Sequence, residues 1–364
     1  MSARLPADEA APRAAGRRRR IWMLAAVAVL ALAVVLGYAG REAGRARAVA
    51  QTPSGAASLE ALPEPATDGG AVRPYVLFRH GAPDQHHGRL ALQYLDDLSG
   101  ARAVAPLACD RVHLAAGLGI CLQAKRGVLT TYEALVFDRR FRVLHRLPLA
   151  GPPSRARLSA DGRLAAVTVF LAGHSYAGAS FTTRTAVLDT ASGHWVVEDL
   201  EGFEVLREGR PMKAADFNFW GISFARDGRR FYATLHTDGR FLLVEGALPE
   251  RRLRVVHEGV ECPSLSPDGR RIAYKRRVAG EGSGHFRWQL QVLALDTGRE
   301  TALTAETRNV DDQVEWLDDR TLLYARPDDA TPDDAGDAVW ALAADNGAPP
   351  RRLLRHASSP AAMR

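Results

Sequence analysis

Cysteine is scarce in this chain, with three residues in 364: Cys109, Cys121 and Cys262. That excludes a small fold stapled by several disulfides. Cys109 and Cys121 flank an expected hairpin and could pair, but the plainer expectation is three small buried side chains. Charge of one sign is also missing from the body of the chain. The net charge is +6, and nine Arg against Asp8, Glu9 and Glu42 in residues 1–50 account for all of it. Beyond residue 50, 39 basic residues face 39 acidic ones, which excludes a nucleic-acid-binding main domain. Helix-period patterning stops after residue 40, and no motif such as His-Glu-x-x-His occurs.

Long apolar runs are limited to one, residues 21–40 (IWMLAAVAVLALAVVLGYAG). As a helix it spans about 30 Å, the thickness of a bilayer's hydrocarbon core. Arg17, Arg18, Arg19 and Arg20 precede it, so residues 1–20 are expected in the cytoplasm and everything after residue 40 outside. A signal peptide cleaved after Ala50 and a twin-arginine signal are the alternatives. The arginines at 41, 45 and 47 fit a cleavage site poorly, and no Cys follows the run before Cys109 to carry a lipid. Residues 41–72, rich in Ala, Gly, Pro and Glu, read as a flexible linker.

The body of the chain repeats itself. "ARLSADGRLAAVTVF" (156–170), "ISFARDGRRFYATLH" (222–236) and "PSLSPDGRRIAYKRR" (263–277) share a β-run, Asp-Gly, a basic residue and a second β-run. "VEWLDDRTLLYAR" (314–326) and "VHLAAGLGICLQA" (112–124) are degenerate copies. Asp-Gly supplies the positive dihedrals of a tight turn, so each copy is a hairpin. A further pair of β-runs follows each copy, and one more pair begins at residue 92, making six. Four-stranded units at this period are propeller blades, and the expected architecture is all-β: six four-stranded blades over residues 73–357, with a short tail at 358–364. The stretch "EGFEVLREGRPMKAADFNF" is an insertion between the third and fourth units.

The repeat, cleanest in Ser266-Pro267-Asp268-Gly269-Arg270, resembles that of TolB-like propellers over about residues 75–357. "VECPSLSPDGRRIAYKRR" with "DDQVEWLDD" resembles a group of exported actinobacterial proteins called TolB-like. The resemblance implies the fold and says little of function. The best-known TolB protein carries a second domain before its propeller. No room for that domain is expected between residue 40 and the first blade, so its partners are not carried over.

"VTVFLAGHSYAGASF" (167–181) imitates the strand-turn of a serine esterase around Ser175. In such enzymes a helix follows, whereas "ASFTTRTAVLD" reads as strand, so Ser175 is expected in a blade's connecting loop. Three such loops join second to third strands and carry histidines: His80, His86 and His87; His174 beside Tyr176; and His285. Asp110, Glu261 and Asp312 align at the starts of innermost strands, on the same face. The functional reading is a site at the channel mouth for a polar ligand or a divalent cation, with no other cofactor. The plainer reading is that loops are polar and the channel is wet. Trp220, Phe224, Trp288, Trp316 and Trp340 are expected to pack between blades.

The expected function is non-enzymatic: a monomeric, membrane-tethered propeller outside the cell, binding a protein, peptide or glycan of the cell envelope. The alternative is a hydrolase or lyase acting on glycan or peptide through the histidine and carboxylate loops. A cytoplasmic segment of about twenty residues is too short for a folded signalling domain. N-terminal sequencing of the protein from membranes tests the topology: an intact N-terminus is expected, and a mature terminus near Gln51 would mean the anchor is removed.

Overall fold

Each Asp-Gly signal closes a hairpin by the same chemistry. The Asp161 carboxylate accepts the Arg163 N–H at 3.1 Å, that of Asp227 accepts Arg229 N–H at 3.0 Å, and that of Asp268 accepts Arg270 N–H at 3.0 Å. The glycine that follows takes a left-handed conformation, with φ of 73° at Gly162 and 63° at Gly228, where a side chain would be strained. In the copy without glycine, Asp318 still accepts Arg320 N–H at 2.7 Å.

These turns lie in a computed structural model describing residues 11–63, 73–127, 129–171, 181–280, 286–328 and 336–363. The strands form six antiparallel blades. Blade 2 runs Arg111–Ala115, Leu118–Lys125, Thr131–Phe137 and Val143–Leu149 from the innermost strand outward. Blade 3 follows with Pro153–Leu158, Leu164–Phe170, Thr183–Asp189 and Trp195–Val197. The innermost strands of blades 4, 5 and 6 are Asn218–Phe224, Glu261–Leu265 and Glu315–Trp316. The insertion forms Glu204–Arg207 and Arg210–Met212, which extend the outer edge of blade 4 through parallel pairing with Arg252–Glu258.

Blade 1 corrects the expected domain limits. Its second, third and fourth strands are Tyr75–His80, Arg89–Tyr94 and Ala103–Ala108, but its innermost strand is Ala357–Met363. The residues expected to form a tail instead close the ring, pairing Tyr75 with Met363 and His80 with Ala357. The linker is corrected as well. A helix spans Ala11–Gln51, and beyond it Ala57–Ser58 pairs in parallel with Ala103–Ala108 while Leu59 and Leu62 are buried in the core. Two apolar side chains three positions apart anchor a segment that composition alone reads as unstructured. The helix, considered by itself, is long and apolar enough to cross a membrane, and Trp22, Leu30 and Tyr38 stand exposed on it.

The core lies between blades, where apolar residues alternate along the middle strands. Leu77, Leu90, Leu135 and Phe137 pack between blades 1 and 2, and Val187, Phe219, Phe231 and Val244 between blades 3 and 4. Cys109 and Cys121 form a disulfide, against the plainer expectation, tying the connection between blades 1 and 2 to the second strand of blade 2. Cys262 is free and buried. The bridge closes a short loop and constrains the unfolded chain, so replacing both cysteines by alanine is expected to lower stability by about 3 kcal/mol. Denaturant titration checks this. The unaltered protein should show the same loss when unfolded under reducing conditions.

Candidate binding face

The innermost strands run toward the Asp-Gly turns. Their starts, the ends of the second strands and the loops from second to third strands therefore share the opposite face. Asp110 precedes the innermost strand of blade 2, and its carboxylate accepts the Ala124 N–H of the second strand at 2.7 Å. Asp312 does the same in blade 6, accepting Ala325 N–H at 3.0 Å and Gln313 N–H at 2.9 Å. Glu261 begins the innermost strand of blade 5 and accepts both Arg277 Nε and the Trp288 indole N–H at 3.1 Å. All three carboxylates stand at strand starts, and each is engaged by the scaffold.

The histidines divide. His80 ends the second strand of blade 1, is buried, and meets Arg102 through Nδ1 at 3.2 Å. His86 is half-buried in the following loop. His87 is exposed: Arg79 donates toward its Nε2 at 3.5 Å, so Nδ1–H donates to Ala82 O at 3.0 Å. His174, Tyr176 and His285, with Ser175, lie outside the described residues. The strands flanking Ser175, Leu164–Phe170 and Thr183–Asp189, pair antiparallel with each other rather than forming a strand and helix. Among the described residues no group of three or more His, Cys, Asp or Glu is placed to hold a metal ion.

Sequence reasoning missed what fills the channel. Arg157 of blade 3 reaches across to Glu315 of blade 6, forming an ion pair, and donates from Nη2 to Val314 O at 3.1 Å. His113 of blade 2 joins them, its Nε2 3.5 Å from Glu315. Its Nδ1 accepts the Leu158 N–H at 3.1 Å, so the imidazole proton sits on Nε2 and points at the carboxylate. The Gln313 amide donates to Pro263 O at 2.9 Å and Gly221 O at 3.2 Å, linking blade 6 to blades 5 and 4. Closer to the mouth, Lys275 pairs with Asp311, and Arg155 lies 4.0 Å from the same carboxylate. A signal for this did exist: Arg111/His113, Arg155/Arg157 and Gln313/Glu315 are polar pairs two apart in expected innermost strands, and alternate residues share a face.

Around the mouth, blades 3 to 5 carry a continuous arc of rings. Phe170 meets Phe181 at 5.6 Å between centroids, and Phe181 meets Trp220 at 5.2 Å. Trp220 meets His236 and Phe241, each at 6.1 Å. The Arg277 guanidinium bridges to blade 5, lying 4.4 Å from Phe241 and 4.6 Å from Phe286, whose ring meets Trp288 at 5.0 Å. Lys275 sits 4.5 Å over Trp288. Phe286 is 49% exposed and Phe181 36%. Trp220 and Trp288 thus belong to a surface cluster as well as to their blades. Trp316, by contrast, is buried in the core between blades 5 and 6, as expected, with its indole donating to Ser264 O at 2.8 Å.

A ring of six four-stranded blades around a plugged polar channel, with one loop-bearing face, defines a six-bladed β-propeller. Its fold is similar to that of TolB over part of that protein's length. The chain matches TolB from Acinetobacter baumannii with a TM-score of 0.53 at 13% identity, over 79% of its own length and 66% of that chain. Two other similar structures are a chain of the nidogen/laminin complex (TM-score 0.48, 10% identity, 79% and 98% covered) and acylaminoacyl peptidase from Pyrococcus horikoshii (0.38, 14%, 66% and 38%). No family model and no curated protein matches the sequence.

The channel plug makes stability pH-dependent. Burial pushes the His113 imidazole below its ordinary 6.5; Glu315 opposes this and Arg157 adds to it. Burial alone would raise the Glu315 carboxyl, but Arg157 and His113 hold it down at about 2. Both groups therefore bind protons more readily in the unfolded chain, near 6.5 and 4.5. Stability is fully present above those values. It falls first below about 6.5 and again below about 4.5, at up to about 1.4 kcal/mol per pH unit for each proton. Urea midpoints measured between pH 8 and 4 check this, with His113→Asn expected to flatten the first stage and leave the second.

Proposed function

We propose that this protein is a non-enzymatic binding propeller, tethered to the membrane by its N-terminal helix and engaging a protein, peptide or other envelope ligand through the face that bears the loops from second to third strands. One observation carries the reading: the arc from Phe170 through Trp220 and Arg277 to Trp288. Rings already packed against one another, with a guanidinium held between them, present apolar area that loses little entropy on binding. Phe181 and Phe286 are large apolar side chains left in water. On the opposite face the turns are short and occupied by their own Asp-to-backbone hydrogen bonds. The disulfide fits an oxidising compartment outside the cytoplasm.

A photoreactive amino acid at Phe286 should cross-link a partner in intact cells, and the same group at Arg229 on the opposite face should not. Cross-linking confined to position 229 would move the site to the Asp-Gly face. Trp288→Ala should weaken ligand capture roughly ten- to a hundredfold, about 1.4–2.7 kcal/mol, the usual effect of removing a central aromatic anchor.

A further inference from the structure

We infer that a second part of the same face, the cleft where blades 1, 2, 3 and 6 meet at the channel mouth, captures the free C-terminal carboxylate of a peptide. The cleft is an open depression of about 480 Å³, and its charged lining is Arg79, Arg111, Arg126, Asp110 and Asp337. Two of these charges neutralise each other: Arg126 lies 3.7 Å from Asp110, whose other oxygen is taken by the Ala124 N–H. Arg79 donates toward the ring of His87, at 3.5 Å.

Arg111 is the residue left over. Among the described residues its guanidinium makes no hydrogen bond and no ion pair. Burial and the like charge of Arg155 both weaken its hold on its proton, and Asp312, Asp337 and Asp311 attract it only from a distance. A half-buried guanidinium repelled by a second one and engaged by neither backbone nor carboxylate is open to pair with an anion.

The cleft also says which anion. Among the residues lining the cleft, three guanidinium groups stand against two carboxylates, an excess that suits an anion. A planar guanidinium matches a carboxylate through two parallel N–H donors. Asp337 stands exposed on the rim, its side chain makes no hydrogen bond among the described residues, and it can accept an N–H beside the bound group. A peptide C-terminus presents both features, a carboxylate and the amide N–H of its last residue. Tyr132, Pro152 and Pro153 form an apolar wall for that residue's side chain. An acidic sugar has the carboxylate but need not place an N–H beside it.

The inference rests on reading this face as the binding face. Its test is a direct measurement with defined peptides, so failure here leaves the cross-linking result at Phe286 standing. Calorimetric titration of the full chain in detergent would use acetyl-Gly-Gly-Leu with a free C-terminus, the same peptide amidated, and sodium glucuronate. The free acid should bind saturably, with the amide and glucuronate at least tenfold weaker. Arg111→Gln should erase the preference for acid over amide, and Arg111→Lys, which keeps the charge but not the fork, should restore part of it. Because the acid and amide are compared on the unaltered protein, a misfolded variant does not blunt the test. Equal binding of acid and amide, binding of neither, or glucuronate binding as tightly as the peptide would each overturn the inference.

Discussion

A propeller blade buries its faces only against its neighbours, so the whole architecture depends on closing the ring. Here a single pairing closes it: the last strand, Ala357–Met363, lies against the first long strand, Tyr75–His80. Ala357 and Ala361 are buried by this, and Ser359 accepts the Val112 N–H at 2.9 Å, fastening the closing strand to blade 2 as well. Without that strand Leu77 and Tyr75 would lose one wall, and blade 1 would present an open edge at the centre of the molecule. The docking of Leu59 and Leu62 adds apolar cover to the same blades from outside.

Closing the ring brings polar strand faces together in the channel. Its wall is backbone and charged side chains rather than an apolar core, and unpaired charges there would be costly. The chain resolves this by pairing across the diameter. Arg157, Glu315 and His113 come from three different blades, and Gln313 ties a fourth and a fifth through backbone carbonyls. The channel is therefore filled at mid-depth, and open chemistry is left at its mouth. Arg111 and the aromatic arc are what remains there once the internal pairing is complete.

The carboxylates and aromatics show how one residue type takes different roles by position. Asp110 and Asp312 serve the backbone of a neighbouring strand, while Glu261 holds Arg277 and Trp288 in place from beneath the arc. Asp110 and Asp312 thus finish strand starts, whereas Glu261 positions a surface. Trp220 and Trp316 are both strand tryptophans within innermost strands, yet one joins a chain of rings toward solvent and the other packs into the core.

The local elements were legible in the chain: the Asp-Gly hairpins, the six pairs of outer strands, and hence the blade count and the all-β class. Turn chemistry and period-two patterning act over a few residues, so they are legible in one dimension. The chain also held a clue to ring closure that local reading could not interpret, since five hairpins accompany six outer pairs. The sixth hairpin has its strands at opposite ends of the chain. Long-range contacts set the rest: the final residues form that strand, Cys109 meets Cys121, Arg157 pairs with Glu315 from 158 positions away, and Phe181, Phe241 and Phe286 line up on one face. These are contacts between blades, and their geometry exists only once the ring has closed.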